Sequence, residues 1–255
     1  MTSPLEILEL EYIGPSLEKH ELGCCKCPNL VGSRSSIVFG EGFPDADVLF
    51  LGEAPGFNED ELIRVFVGKA GMLLDQYLTL FARGDNEWLK KIGDRISRGG
   101  KIADSEYDRV REELIEGEQF YYSNSVLCHP EDNRTPTKTE MDCCNDRLFR
   151  LIRALDPLII VALGATAARA VLGKVVRIIK DRGQVLDVEI PGVTGGIRYP
   201  LLITYHPSYL LRIGDFESPT GPGMKFLEDL QLMFDLLDSA RQMTRGEKPP
   251  KRRRI

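Results

Sequence analysis

The chain has 255 residues, of which 42% are apolar and 28% charged, a length for one large or two small globular domains and an ordinary soluble composition. No stretch approaches the ~20 apolar residues of a membrane span, and the opening MTSPLEILELEYIG lacks the basic residues of a signal peptide. A cytoplasmic protein with no membrane partner is therefore expected. The net charge of −6 argues against a broadly basic surface, yet the tail RGEKPPKRRRI holds six basic residues and one acidic. Residues 243–255 are predicted to be a disordered tail, either touching phosphates or merely solubilising.

Taken in chain order, ELGCCKCPNL gathers Cys24, Cys25 and Cys27 out of six cysteines. In a reducing compartment such a group binds metal or does redox chemistry more often than it forms disulfides. ADVLFLG (46–52) predicts a buried parallel strand. Leu73, Leu74, Tyr77, Leu78 and Phe81 then fall at helical spacing, with Gly84 as the stop. Residues 85–118 are highly charged and predict a helical excursion on the surface. FYYSNSVL (120–127) predicts a second strand. The next helix opens with Pro136 and a Thr137/Glu140 capping box. PLIIVALG (157–164) is a third strand, followed by an Ala-rich helix closed by Gly173. QVLDVEI predicts an outlying strand or hairpin arm, YPLLITY (199–205) a further sheet strand, and 223–243 an amphipathic last helix. Strands alternating with helices predict an α/β fold: a three-layer α/β/α sandwich around a short, mostly parallel sheet, in one domain over 1–242.

In such sheets ligands bind at the carboxyl ends of the strands. Four loops fall there. GEAPG brings a tight turn and Glu53 at a strand end, with Glu59, Asp60 and Glu61 close behind. These carboxylates suit acid/base work or a divalent metal, or are solvated turn acids. Asn124 offers one acceptor and two donors, which match a pyrimidine edge; it would serve equally as a turn cap. His206, one of three histidines, follows a buried strand, where it is either a donor to a ligand or a structural hydrogen-bonding group. Leu210, Leu211 and Arg212 are two apolar residues and a cation, fit to wedge into a base stack and grip a phosphate, or to begin a helix facing the core.

Together CCKCPNL, LGEAPGFNEDELIRVFVGKAG, SNSVLCHPEDNRTPTKTEMDCC, IIVALGATAARAVLG, KDRGQV and TYHPSYLLR resemble the iron–sulfur (family 4) uracil-DNA glycosylases, in order, from about residue 20 to 240. The resemblance implies the sandwich fold, base-excision repair of uracil-containing DNA in the nucleoid, and a monomeric enzyme. It implies a [4Fe–4S] cluster on Cys24, Cys27, Cys128 and Cys144, with zinc on the same thiols as the rival. Cys25 and Cys143 are then bystanders. It implies that Phe66 stacks on uracil, that Asn124 reads its edge, and that Glu53, Ala54 and Pro55 line the pocket. His206 then supports the departing base. Glu53 positions water, Glu59 shapes the pocket near C5, and the Glu53/Glu59 division stays open. Leu210, Leu211 and Arg212 enter the DNA groove. A non-catalytic DNA-binding relative and a zinc-stapled hydrolase are the alternatives. Where the family commonly has Gly and Pro, this chain has Ile63 and Val65.

Overall fold

The computed structural model describes residues 21–81, 87–99, 101–192, 195–215 and 218–244. The acidic N-terminal segment, the predicted stop at Gly84 and the basic tail from 245 onward lie outside the described residues. Six strands form one sheet: β1 (Glu41–Gly42), β2 (Val48–Gly52), β3 (Phe120–Asn124), β4 (Ile159–Leu163), β5 (Val185–Ile190) and β6 (Ile197–Thr204). Their order is β1-β3-β2-β4-β6-β5. The four central strands run parallel, with Gly52 opposite Asn124, and β1 and β5 are antiparallel edges. The expected mostly parallel sheet is therefore present.

The central strands are buried on both faces, which is why they read as unbroken apolar runs. Alternate side chains serve two separate cores. Val48, Phe50, Phe120, Tyr122, Val161 and Leu202 face one layer of helices. Leu49, Leu51, Tyr121, Ile160, Ala162 and Leu201 face the other. Each such large side chain withdrawn from water contributes roughly 1.5–3 kcal/mol.

The helices are α1 (Pro28–Ser33), α2 (Phe57–Leu62), α3 (Lys69–Thr79), α4 (Glu87–Ser97), α5 (Tyr107–Glu118), α6 (Lys138–Leu155), α7 (Gly164–Leu172), α8 (Ile178–Asp181), α9 (Pro207–Ile213) and α10 (Pro222–Thr244). Helices α3, α4, α5 and α10 cover the first face, and α6 and α7 the second. The capping box forms: the Glu140 N–H donates to the Thr137 hydroxyl, and the Thr137 N–H donates to the Glu140 carboxylate. Gly173 closes α7 in the left-handed conformation.

Several boundaries differ from the sequence expectation. Helix α3 ends at Thr79, well before Gly84. Strand β3 ends at Asn124, although the Ser125 and Val126 N–H groups still donate to the carbonyls of Gly52 and Glu53. The last helix runs through Thr244, two residues into the predicted tail. The charged excursion is also more than surface. Ile92, Ile96, Val110 and Leu114 recur at i, i+4 and bury into the first core. The abundance of charge hid that apolar stripe.

Helix α2 stops at Ile63, whose φ of 52 lies in the left-handed region. A β-branched residue is strained there, by about 1–2 kcal/mol. Ile63→Gly is expected to raise stability by about 1 kcal/mol, and the thermal midpoint by roughly 2–4 °C. An unchanged or lower midpoint in thermal unfolding would show the strain to be absent.

Candidate functional site

The carboxyl ends of β2, β3, β4 and β6 open into one pocket of about 540 Å3. The connections leaving the adjacent strands β2 and β4 run in opposite directions, from β2 to β3 on one side and from β4 toward β5 and β6 on the other, which leaves a crevice between them. Glu53, Ala54, Pro55 and Gly56 line it from the loop after β2, Asn124 from the end of β3, and Gly164 to Thr166 from the start of α7. Tyr205, His206 and Tyr209 come from the β6–α9 junction, and Phe66 and Glu59 from the segment between β2 and α3.

Gly52 makes the floor possible. A Cβ there would lie 2.3 Å from the Asn124 amide oxygen and 2.7 Å from the Phe66 ring. Asn124 is buried, and no hydrogen bond of its side-chain amide to protein is found among the described residues. Its main chain is held firmly instead. The fully buried guanidinium of Arg147, on α6, donates to the carbonyls of Asn124 and Ser125, both at 2.8 Å. Phe66 is buried with a left-handed φ of 56.

His206 caps α9. Its Nδ1 accepts from the Ser208 backbone N–H at 3.1 Å and lies 2.7 Å from the Ser208 hydroxyl. A ring nitrogen that accepts from a backbone N–H carries no proton, so the hydrogen of the neutral ring is on Nε2. The imidazole sits deep among protein atoms although the pocket leaves part of it open. That withdrawal from water lowers its pKa to about 4. At neutral pH the site therefore holds an uncharged Nε2–H donor.

Glu59 is braced, accepting from the Gly68 N–H at 2.9 Å through Oε1. Glu53 lines the pocket, and its main-chain carbonyl accepts from the Val126 N–H. The segment after His206 is helix rather than loop. Leu210 is fully buried in the first core, so its expected place in a DNA groove is corrected: a leucine fixed inside cannot also wedge outside. Leu211 and Ile213 are exposed instead, and Arg212 stands at the pocket rim, 5.5 Å from the centre of the Tyr209 ring.

The thiols gather in a third, smaller core. Cys24, Cys27 and Cys144 pack with Cys128, Leu30, Val126 and Met141. This core ties the N-terminal segment to the β3–α6 region. Arg34 donates to the Cys128 sulfur at 2.8 Å and to the Cys24 carbonyl at 2.7 Å. The Leu127 N–H donates to the Cys144 sulfur. Burial, a hydrogen bond to Cys143 and the neighbouring thiols push Cys27 up to about 12. Cys25 is exposed. Among the described residues, no three His, Cys, Asp or Glu side chains form a ready-made cage for a single metal ion. The donor set suits an iron–sulfur cluster: four thiols, a guanidinium against one sulfur and a backbone N–H against another.

Sequence reasoning missed Tyr205, Tyr209 and Arg134 on the pocket wall, and the buried Arg147 and Arg111 behind it. Arg134 carries a signal only in retrospect: it sits six residues before Glu140 and grips that carboxylate with both nitrogens, at 2.7 and 2.9 Å.

Residues 39–230 match the family described as the Uracil DNA glycosylase superfamily. The chain is 38% identical over 190 residues to the type-4 uracil-DNA glycosylase of Thermotoga maritima, covering 74% of this chain and 78% of that protein. It is 35% identical over 217 residues to the type-4 uracil-DNA glycosylase of Pyrobaculum aerophilum, covering 84% and 91%. The type-4 uracil-DNA glycosylase of Archaeoglobus fulgidus is 30% identical over 194 residues, covering 74% and 79%.

The His206 geometry has a direct consequence for titration. The unfolded chain takes up a proton near pH 6.5 that the folded imidazole refuses until about 4, so this group lowers stability as pH falls across that window. Nitrogen-15 NMR is expected to show a neutral ring with hydrogen on Nε2 at pH 6 and a midpoint near 4. A midpoint near 6.5 would contradict the withdrawn, capping imidazole.

Proposed function

The chain belongs to the uracil DNA glycosylase superfamily, and we propose that it hydrolyses the N-glycosidic bond of deoxyuridine in DNA. Uracil is released and an abasic site is left for base-excision repair. The observation that carries this reading is the convergence of Asn124, Phe66, His206 and Glu53, from four separate chain segments, on one pocket.

The nucleotide must leave the helix to reach such a pocket, at a cost of a few kcal/mol. Phe66 stacks on the uracil ring, and the unengaged Asn124 amide reads the N3/O4 edge. Ala54 and Pro55 wall the pocket, and Glu59, fixed by Gly68, closes it near C5, where thymine carries a methyl. As the glycosidic bond breaks, negative charge develops on the uracil O2. The Nε2–H of His206 donates to that oxygen. A donor already oriented by Ser208 needs no rearrangement, and such a group is commonly worth about 3–4 kcal/mol. Glu53 stabilises the electron-poor sugar and orients the attacking water. Leu211 and Arg212 contact the DNA beside the vacated stack, a role that buried Leu210 does not share.

Type-4 uracil-DNA glycosylases generally carry a [4Fe–4S] cluster, and we infer one here on Cys24, Cys27, Cys128 and Cys144. When bound it would supply a tie between the N-terminal segment and the β3–α6 region. Arg34 offsets part of the thiolate charge.

On a uracil-containing oligonucleotide followed by alkaline cleavage, His206→Ala is expected to lower the single-turnover rate by 10²–10³-fold. Asn124→Ala is expected to lose most activity on uracil. No strand scission by the unmodified protein over a wide concentration range would sink the reading. For the cluster, alanine at Cys24, Cys27, Cys128 or Cys144 is expected to abolish the brown colour and bound iron, and Cys25→Ala to keep both. Bound zinc without iron in the purified protein would give the thiols to a different metal.

A further inference from the structure

Arg111, on α5 in the charged excursion, turns inward and is 4% exposed. Its Nε donates to the Asp75 carboxylate at 2.8 Å, and its Nη2 lies 2.7 Å from the same oxygen. The same guanidinium donates to two consecutive main-chain carbonyls, Phe66 at 2.7 Å and Val65 at 3.3 Å. Its plane lies over the Tyr122 ring, 4.3 Å from the centre, and the Tyr122 hydroxyl is 3.5 Å from the other Asp75 oxygen. The Phe66 ring centre is 5.9 Å from that of Tyr122.

A buried ion pair is weak ground for stability, because desolvating two charges offsets much of their attraction. The location of this one is more informative. It sits behind the peptide that must hold Phe66 at a left-handed φ. Gly71 presses on the same peptide so closely that a Cβ would stand 1.8 Å from the Phe66 carbonyl oxygen. The carbonyl is thus both crowded by a glycine and held by one arm of a two-pronged donor. Lysine could match the charge but not the fork.

We propose that Arg111, locked by Asp75, is a positioning residue that aims the Phe66 ring into the base pocket, making the 87–118 segment part of the base-recognition machinery. The inference rests on the reading that Phe66 stacks on uracil. Arg111 touches no substrate and acts through the Phe66 peptide. A ring displaced by about 1 Å by the loss of that fork is enough to cost one to two orders of magnitude in rate.

The test is a double-mutant cycle between Arg111→Lys and Phe66→Ala, read as kcat/KM on a uracil oligonucleotide and as inhibition by free uracil, with thermal midpoints measured alongside. Arg111→Lys is expected to lower kcat/KM by roughly tenfold or more and to weaken uracil inhibition. In the Phe66→Ala background the same change is expected to have almost no further effect, because the group it aims is gone. A purely structural arginine would lower the thermal midpoint and act equally in both backgrounds. That additive outcome, or an Arg111→Lys enzyme with full activity, overturns the proposal while leaving Phe66 in place. A Phe66→Ala enzyme indistinguishable from the unmodified protein removes the stacking reading and this inference with it. Should Arg111→Lys not fold, the joint change Arg111→Gln with Asp75→Asn, which removes both charges together, enters the same cycle with the same two outcomes.

Discussion

At Gly52 the lack of a Cβ lets the Asn124 amide oxygen and the Phe66 ring share one small volume at the tip of β2. The tip is reinforced from β3, where both the N–H and the hydroxyl of Ser125 donate to the Gly52 carbonyl, at 2.9 and 2.8 Å. Any larger residue at 52 would have to push apart the flat face and the polar edge that together define the pocket floor. The parallel pairing of β2 with β3 sets the distance between them, and both helix layers hold that pairing in place. The other pocket groups arrive on loops, but they converge on a floor that the sheet has already fixed.

Behind the floor, two buried arginines do similar work from opposite sides of the sheet. Arg147, from α6, grips the Asn124 and Ser125 carbonyls, and Arg111, from α5, grips those of Val65 and Phe66. Arg111 reaches its two carbonyls through two different nitrogens, a spacing that a lysine cannot reproduce, whereas Arg147 reaches both of its carbonyls through the single nitrogen Nη2. Side chains free to turn about χ1 and χ2 are thereby mounted on main chain that is not. The arrangement also explains why burial of His206 is productive. A neutral imidazole oriented by a backbone N–H adds no charge to a pocket already walled by carboxylates.

The strands were legible in the sequence because residues buried on both faces leave uninterrupted apolar runs, and the capping box was legible because its two residues are local. The cluster of Cys24, Cys25 and Cys27, Asn124 and His206 stood out because grouped thiols and strand-end polarity carry chemical meaning on their own; the choice of Cys24 and Cys27 within the cluster came from the family resemblance. Arg111 and Arg147 did not. Each lies in a run of charged residues whose pattern is that of a solvated helix face, and only the tertiary fold reveals which of several arginines turns inward. Leu210 was ambiguous for the converse reason: an apolar pair after a strand end fits a wedge or a core, and α9 turned one residue to each side. The end of α3 was misplaced because Leu80 and Phe81 stay apolar and half-buried after the helical hydrogen bonds have stopped.

The Arg111–Asp75 pair also constrains how this sequence can drift. Removing either partner alone strands the other as an unmatched charge at a site almost closed to water, a loss of about 3–5 kcal/mol. A domain whose whole margin is about 5–15 kcal/mol has little room for such an intermediate. The two positions lie 36 residues apart on different helices, yet they are free to change only together. The charged excursion is therefore coupled to α3 through this buried ion pair, and its removal would have to be accompanied by a new partner for residue 75.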